Sequence, residues 1–109
     1  MITTDELKTI VQNYKDKLEY THPFVNSDKF TDNSCGKWAC SEILKFIDRT
    51  NDLPFHLTPI ELLDTFANKM QNYAFMNSKN AYLFTIAQET AESLVEECWL
   101  AEWRKTRLH

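Results

Sequence analysis

One glycine, Gly36, occurs in a chain of 109 residues, and it restricts the fold more than any motif does. Glycine supplies the positive backbone angles on which tight hairpins and phosphate-cradling loops depend. With a single glycine there is no G-x-G-x-x-G fingerprint and no P-loop, and a β-sandwich with its many turns is disfavoured. What remains is an all-α chain whose turns use Asn, Asp, Ser, Thr and Pro. Apolar residues make up 43% of the sequence and aromatics 13%. That is enough to fill one core, so residues 1–109 read as a single helical domain.

The charge balance narrows the partners. The formal net charge is −4, which disfavours nucleic acid as a ligand and gives no polybasic patch for a membrane surface. No apolar run reaches the roughly 20 residues of a membrane span. The first residues, Met1-Ile2-Thr3-Thr4-Asp5-Glu6, lack the cationic and apolar regions of a signal peptide. Three cysteines, Cys35, Cys40 and Cys98, fit reduced thiols better than a disulfide framework. Cytoplasmic placement is the expectation.

Periodicity predicts about four helices, as an antiparallel bundle or a less regular all-α packing. Thr3 and Glu6 have capping-box spacing, and Leu7, Ile10, Val11, Tyr14 and Leu18 share one arc, predicting a helix over 4–20. His22-Pro23 stops it. Residues 21–34, rich in Asn, Asp, Ser and Thr, read as the longest loop, anchored by Phe24, Val25 and Phe30. A second helix is expected over 34–49 with Ala39, Cys40, Ile43, Phe46 and Ile47 inside. Thr58-Pro59-Ile60-Glu61 is a further capping box, with proline at the first helical position. It opens a helix whose inner side holds Leu62, Leu63, Phe66, Ala67, Met70 and Tyr73. Asn77-Ser78 offers a cap for a long last helix over 79–104, with Leu83, Ile86, Ala87, Thr90, Leu94 and Cys98 as its inner stripe.

Chemistry-bearing residues fall into no recognisable spacing. The three cysteines and the scattered His22, His56 and His109 contain no C-x-x-C, H-x-x-x-H or H-E-x-x-H. The thiols read as small core residues, and neither cofactor nor metal is expected. Cys35 is the best nucleophile candidate, because a helix starting at 34 would lower its pKa, but no histidine is placed beside it. Glu61-x-x-Asp64 with Glu92, Glu96 and Glu97 resembles, in a different order, the glutamate and aspartate pattern of all-α nucleotide pyrophosphohydrolases. That resemblance implies a small carboxylate-metal hydrolase. The helical wheel argues against it: Glu92 and Glu96 lie opposite the Leu83–Leu94 stripe, whereas metal carboxylates in a bundle project inward. No catalytic residue is assigned.

The tryptophans carry the most functional weight. Trp99 and Trp103 are four apart and stack on one face, the face of Glu92 and Glu96 rather than the inner stripe. Leu100 points a third way, so the end of the last helix is apolar nearly all round and must be covered on several sides. Trp38 is likewise off its stripe, beside Glu42, Lys45 and Arg49. Large aromatics are favoured interface anchors. The candidate partner-binding set is therefore Trp99, Trp103, Leu100, Glu92, Glu96 and Trp38, serving a protein partner or self-association. Residues 51–102 hold eight acids against two bases, so an acidic inhibitor that mimics a phosphate backbone, of the kind small mobile-element proteins supply, is the alternative.

Overall fold

The computed structural model describes residues 2–19, 27–51 and 56–107. They form four α-helices, α1 (Thr4–Glu19), α2 (Ser27–Thr50), α3 (Pro59–Met76) and α4 (Ala81–Arg107), with a 3₁₀ turn at Ser78–Asn80 before α4. The all-α expectation is met, and no strand occurs among the described residues. No described helix is long and apolar enough to cross a membrane.

Both capping boxes form. The Thr3 N–H donates to Glu6 Oε1 and the Glu6 N–H to Thr3 Oγ1, each at 3.1 Å. At α3, the Thr58 N–H donates to Glu61 Oε1 at 3.1 Å and the Glu61 N–H to Thr58 Oγ1 at 3.2 Å. Each box is flanked by the residue pair of a hydrophobic staple. Ile2 and Leu7 bracket the first and are both buried; Leu57 and Leu62 bracket the second and join the same core. Local sequence thus fixes where α1 and α3 begin and which way the chain enters them.

Two boundaries differ from expectation. α2 begins at Ser27, not near residue 34, so the polar stretch read as loop is about two turns of helix. Tertiary contact sustains it where propensity does not: the Tyr82 hydroxyl on α4 bonds the Asp32 carboxylate, and α1 packs along α2. The stop expected at His22-Pro23 and the anchoring by Phe24, Val25 and Phe30 lie outside the described residues and side chains. Asn77 does not cap with its side chain. Its N–H instead donates to the Tyr73 carbonyl at 3.0 Å, and its carbonyl accepts from the Asn80 N–H at 3.2 Å, a backbone-only junction between α3 and the 3₁₀ turn. α4 runs on to Arg107.

Cross-helix contacts give the topology. Lys8 pairs with Asp48 at 2.8 Å, and Leu18 meets Gly36, so α1 and α2 run antiparallel. Glu6 pairs with Lys105, which sets α4 antiparallel to α1. The Phe46–Phe66 ring pair, with centroids 6.2 Å apart, and the Tyr73–Phe84 pair at 5.5 Å set α3 antiparallel to both α2 and α4. The result is an up-down-up-down arrangement, but not a square bundle. α2 packs more extensively on its diagonal neighbour α4 than on α3, and the thinnest dimension is 19 Å, about two helix diameters.

Gly36 makes room at this packing for α1. It sits inside α2, not at a helix entry, and its role is space rather than unusual backbone angles. A Cβ there would lie 2.9 Å from Leu18 Cδ1 and 3.7 Å from Thr90 Oγ1. Its neighbours Ala39 and Cys40 are fully buried, as are Ala87, Ala91, Leu94 and Cys98 on α4. Mostly small side chains therefore face the α2–α4 contact, so the helices approach closely. Thr90, the one buried polar side chain among the described residues, bonds back to the Ile86 carbonyl at 2.8 Å and leaves nothing unsatisfied.

Two stability tests follow from these contacts. Gly36→Ala is expected to be close to neutral by urea unfolding, because a helix-propensity gain of about 1 kcal/mol offsets displacement of the flexible Leu18 end. Gly36→Leu is expected to cost about 1–3 kcal/mol through overpacking. The second test concerns pH. The Glu6 carboxyl is held below its ordinary value of 4.5 by Lys105 and then by the Thr3 N–H, and Glu61 by the Thr58 hydroxyl and N–H. Groups with depressed folded values stabilise above the unfolded value and lose that contribution as pH falls through the folded one. The thermal midpoint should therefore drop as pH falls below 4.5, and Glu6→Gln/Glu61→Gln should flatten that drop.

Candidate functional site

α4 is covered on three sides by α1, α2 and α3, which leaves it one exposed face. Of the expected inner stripe, Ala87, Thr90, Leu94 and Cys98 are buried while Leu83 and Ile86 are half-buried, and Ala91 and Val95, which that stripe omits, are buried as well. Widening the buried arc to Ala91 and Val95 takes α4's remaining apolar flank towards α3. Trp99, Leu100 and Trp103 stay outside it, with 57%, 46% and 54% of their surfaces exposed. No other segment of the described chain folds over them.

These three side chains and Glu96 line a shallow depression of about 540 Å³. On the side towards α3, Glu92 and Glu96 join Asp64, Val95 and Trp99 around a second depression of about 260 Å³. Glu92 accepts from the Gln88 amide at 3.1 Å. At the far end the Arg107 guanidinium lies 4.7 Å from the Trp103 ring centroid, a cation–π contact that presents the charge at the edge of the aromatic surface. The five candidates Glu92, Glu96, Trp99, Leu100 and Trp103 thus share one continuous face.

Trp38 does not belong to that face. It is half-buried and meets Phe84 edge-on, with centroids 6.1 Å apart. Phe84 lies fifteen residues before Trp99 on α4, about 22 Å along the axis. With Phe46, Phe66, Tyr73 and Phe84, Trp38 lines a cavity of about 210 Å³ between α2, α3 and α4, rimmed by Glu42, Arg49 and Lys69, whose ammonium lies 5.6 Å from the Phe46 centroid. The wheel correctly puts Trp38 off the α2 stripe, but α4 and α3 supply the cover that Trp99 lacks.

A second exposed apolar group escaped the sequence reading. Phe75, Met76 and Tyr82 stand exposed at the α3–α4 junction, Phe75 to 92%, and with them Tyr73, which is expected on the inner side of α3 but is 42% exposed because it lies at the rim of the α3–α4 contact. The available signal was the off-stripe position of Phe75 and Met76 immediately before Asn77, where no helix remains to cover them.

The chemistry candidates come out as packing. Cys35 stands two turns inside α2 rather than at its start. Its thiol is pushed up, not down, by partial burial and then by Asp32. Burial pushes Cys40 up to about 12 and, with Glu102 and Glu97 adding to it, Cys98 up to about 11. Among the described residues no group of three or more His, Cys, Asp or Glu side chains converges to hold a metal. Glu61 is committed to its cap. The resemblance to carboxylate-metal hydrolases therefore has no counterpart in the geometry. Comparisons with protein-family models, curated proteins and solved structures found no match to this chain.

Thiol labelling tests the burial of the three cysteines. In the folded protein at neutral pH, Cys35 is expected to react slowly with an aromatic disulfide reagent while Cys40 and Cys98 resist it, and all three should label after denaturation. Mass spectrometry of the labelled peptides reads the difference.

Proposed function

We propose that this chain is a non-catalytic protein–protein interaction module that binds through the exposed face of α4, with Trp99, Leu100 and Trp103 as anchors and Glu92 and Glu96 at their border. The observation that carries this reading is the exposure of three large apolar side chains together on one rigid helix. Large contiguous apolar patches on soluble monomers mark interaction sites. Tryptophan, with Tyr and Arg, dominates binding energy at interfaces. A helix face held by three neighbours is also preorganised, so little conformational entropy is lost when a partner docks.

The acidic border supports a second reading. Asp64, Glu92 and Glu96 around one depression make a negative patch that a basic groove on a nucleic-acid-binding protein would fit, as an inhibitor would. The two readings separate on salt. Anchoring by tryptophan is little affected by ionic strength, whereas an acidic mimic loses its partner as salt rises.

Trp99→Ala/Trp103→Ala is the direct test. Because neither side chain belongs to the buried core, the thermal midpoint is expected to stay within about 3 °C of wild type. Association, read as the elution position in size-exclusion chromatography or as capture of a partner, is expected to be lost. A variant that unfolds instead would make the tryptophans structural.

A further inference from the structure

The exposed face of α4 carries opposite charges at the two ends of its apolar centre. Glu96, Leu100, Trp103 and Arg107 are spaced four, three and four residues apart, the heptad spacing of a helix–helix seam. All four are exposed, as is Trp99 beside them. Glu89 and Glu92 extend the acidic end, and Arg104 flanks the basic end. Among the described residues neither Glu96 nor Arg107 enters an ion pair. Arg107 is held over the Trp103 ring, so its charge is stationed at the border of the aromatic surface.

We infer that this seam is self-complementary, and that its occupant is a second copy of this chain whose α4 lies antiparallel on the first. The inference rests on the α4 face being an interaction surface and names what occupies it. A two-fold axis midway between Leu100 and Trp103 sets Leu100 against Trp103 of the second copy, and Glu96 against Arg107 of the second copy, each twice by symmetry. Trp99 lies to one side of the seam and Arg104 to the other, so the two-fold axis brings Trp99 of each copy to the same side, where both extend the apolar contact. A parallel pairing in register would set Glu96 on Glu96 and Arg107 on Arg107. Like charges reject that arrangement, so charge selects the antiparallel one.

Geometry also limits the strength of the pair. The overlap from Glu96 to Arg107 is about 17 Å of helix, and Glu89 and Glu92 remain outside it. An interface this short falls below the roughly 1,600 Å² of a standard stable complex. The dimer therefore forms with a Kd on the order of micromolar or weaker and exchanges readily with monomer.

Sedimentation velocity on the full chain, from about 1 µM to about 500 µM, reads this directly. The mass is expected to rise from the 12.9 kDa monomer towards the dimer across that range. Glu96→Arg alone and Arg107→Glu alone should each weaken association by about tenfold, since each places two like-charge contacts in the symmetric seam. The double variant Glu96→Arg/Arg107→Glu should return to within about threefold of wild type, because the reversed charges pair again. Thermal midpoints close to wild type confirm that each variant is folded.

A wild type that stays monomeric throughout overturns the second copy as occupant, and leaves the aromatic face to a different partner. A dimer indifferent to both single reversals, or not rescued by the double, overturns the antiparallel register while the aromatic face still associates. A dimer that survives Trp99→Ala/Trp103→Ala overturns the register and the interaction face together.

Discussion

The close approach of α2 to α4 is the contact from which the rest of the structure follows. Small side chains accompany it: Ala39 and Cys40 are fully buried on one helix, Ala87, Ala91 and Cys98 on the other. Helices pack at 8–10 Å according to the side chains at their contact. Bringing the diagonal pair together flattens the bundle to 19 Å and pushes α1 and α3 to opposite flanks of α4. α4 thereby acquires three neighbours and retains one free strip. What the protein offers its surroundings is decided by which residues fall on that strip.

The strip is chemically graded. Its first half is acidic, its centre aromatic and its end basic, so along a single helix the potential changes sign across an apolar middle. The basic end also complements the negative pole of the helix dipole. Lys105 is turned the other way and is committed to Glu6. Residues one or two apart on a helix face different directions, so one run of cations can serve the fold and the surface at once.

Local signals were legible in the sequence and tertiary ones were not. The Thr3–Glu6 and Thr58–Glu61 boxes act within four residues, and both form as read. The start of α2 did not show, because Ser27 to Asn33 is polar and turn-prone apart from Phe30. What keeps it helical is contact with α1 and α4, which no local window contains. Off-stripe position on a helical wheel was informative for Trp99 and Trp103 and incomplete for Trp38. The wheel states which way a side chain points, whereas cover depends on whether another helix arrives there. Phe84 arrives over Trp38, and nothing in the described chain arrives over Trp99. Gly36 was legible as important, but that its role is space rather than unusual angles follows only from the positions of Leu18 and Thr90.

The Glu6–Lys105 pair has a topological meaning beyond its modest energy. It joins the first turn of α1 to the last turn of α4, so the start of α1 and the end of α4 lie side by side. Connectivity and architecture are then separable. The backbone-only junction at Asn77 links two helices that already pack along their lengths, and severing it would cut no helix. A circular permutant that opens there and bridges α4 to α1 keeps every helix, every core contact and the exposed α4 strip. It also moves the new ends to the α3–α4 junction, at the opposite end of the molecule from Trp103.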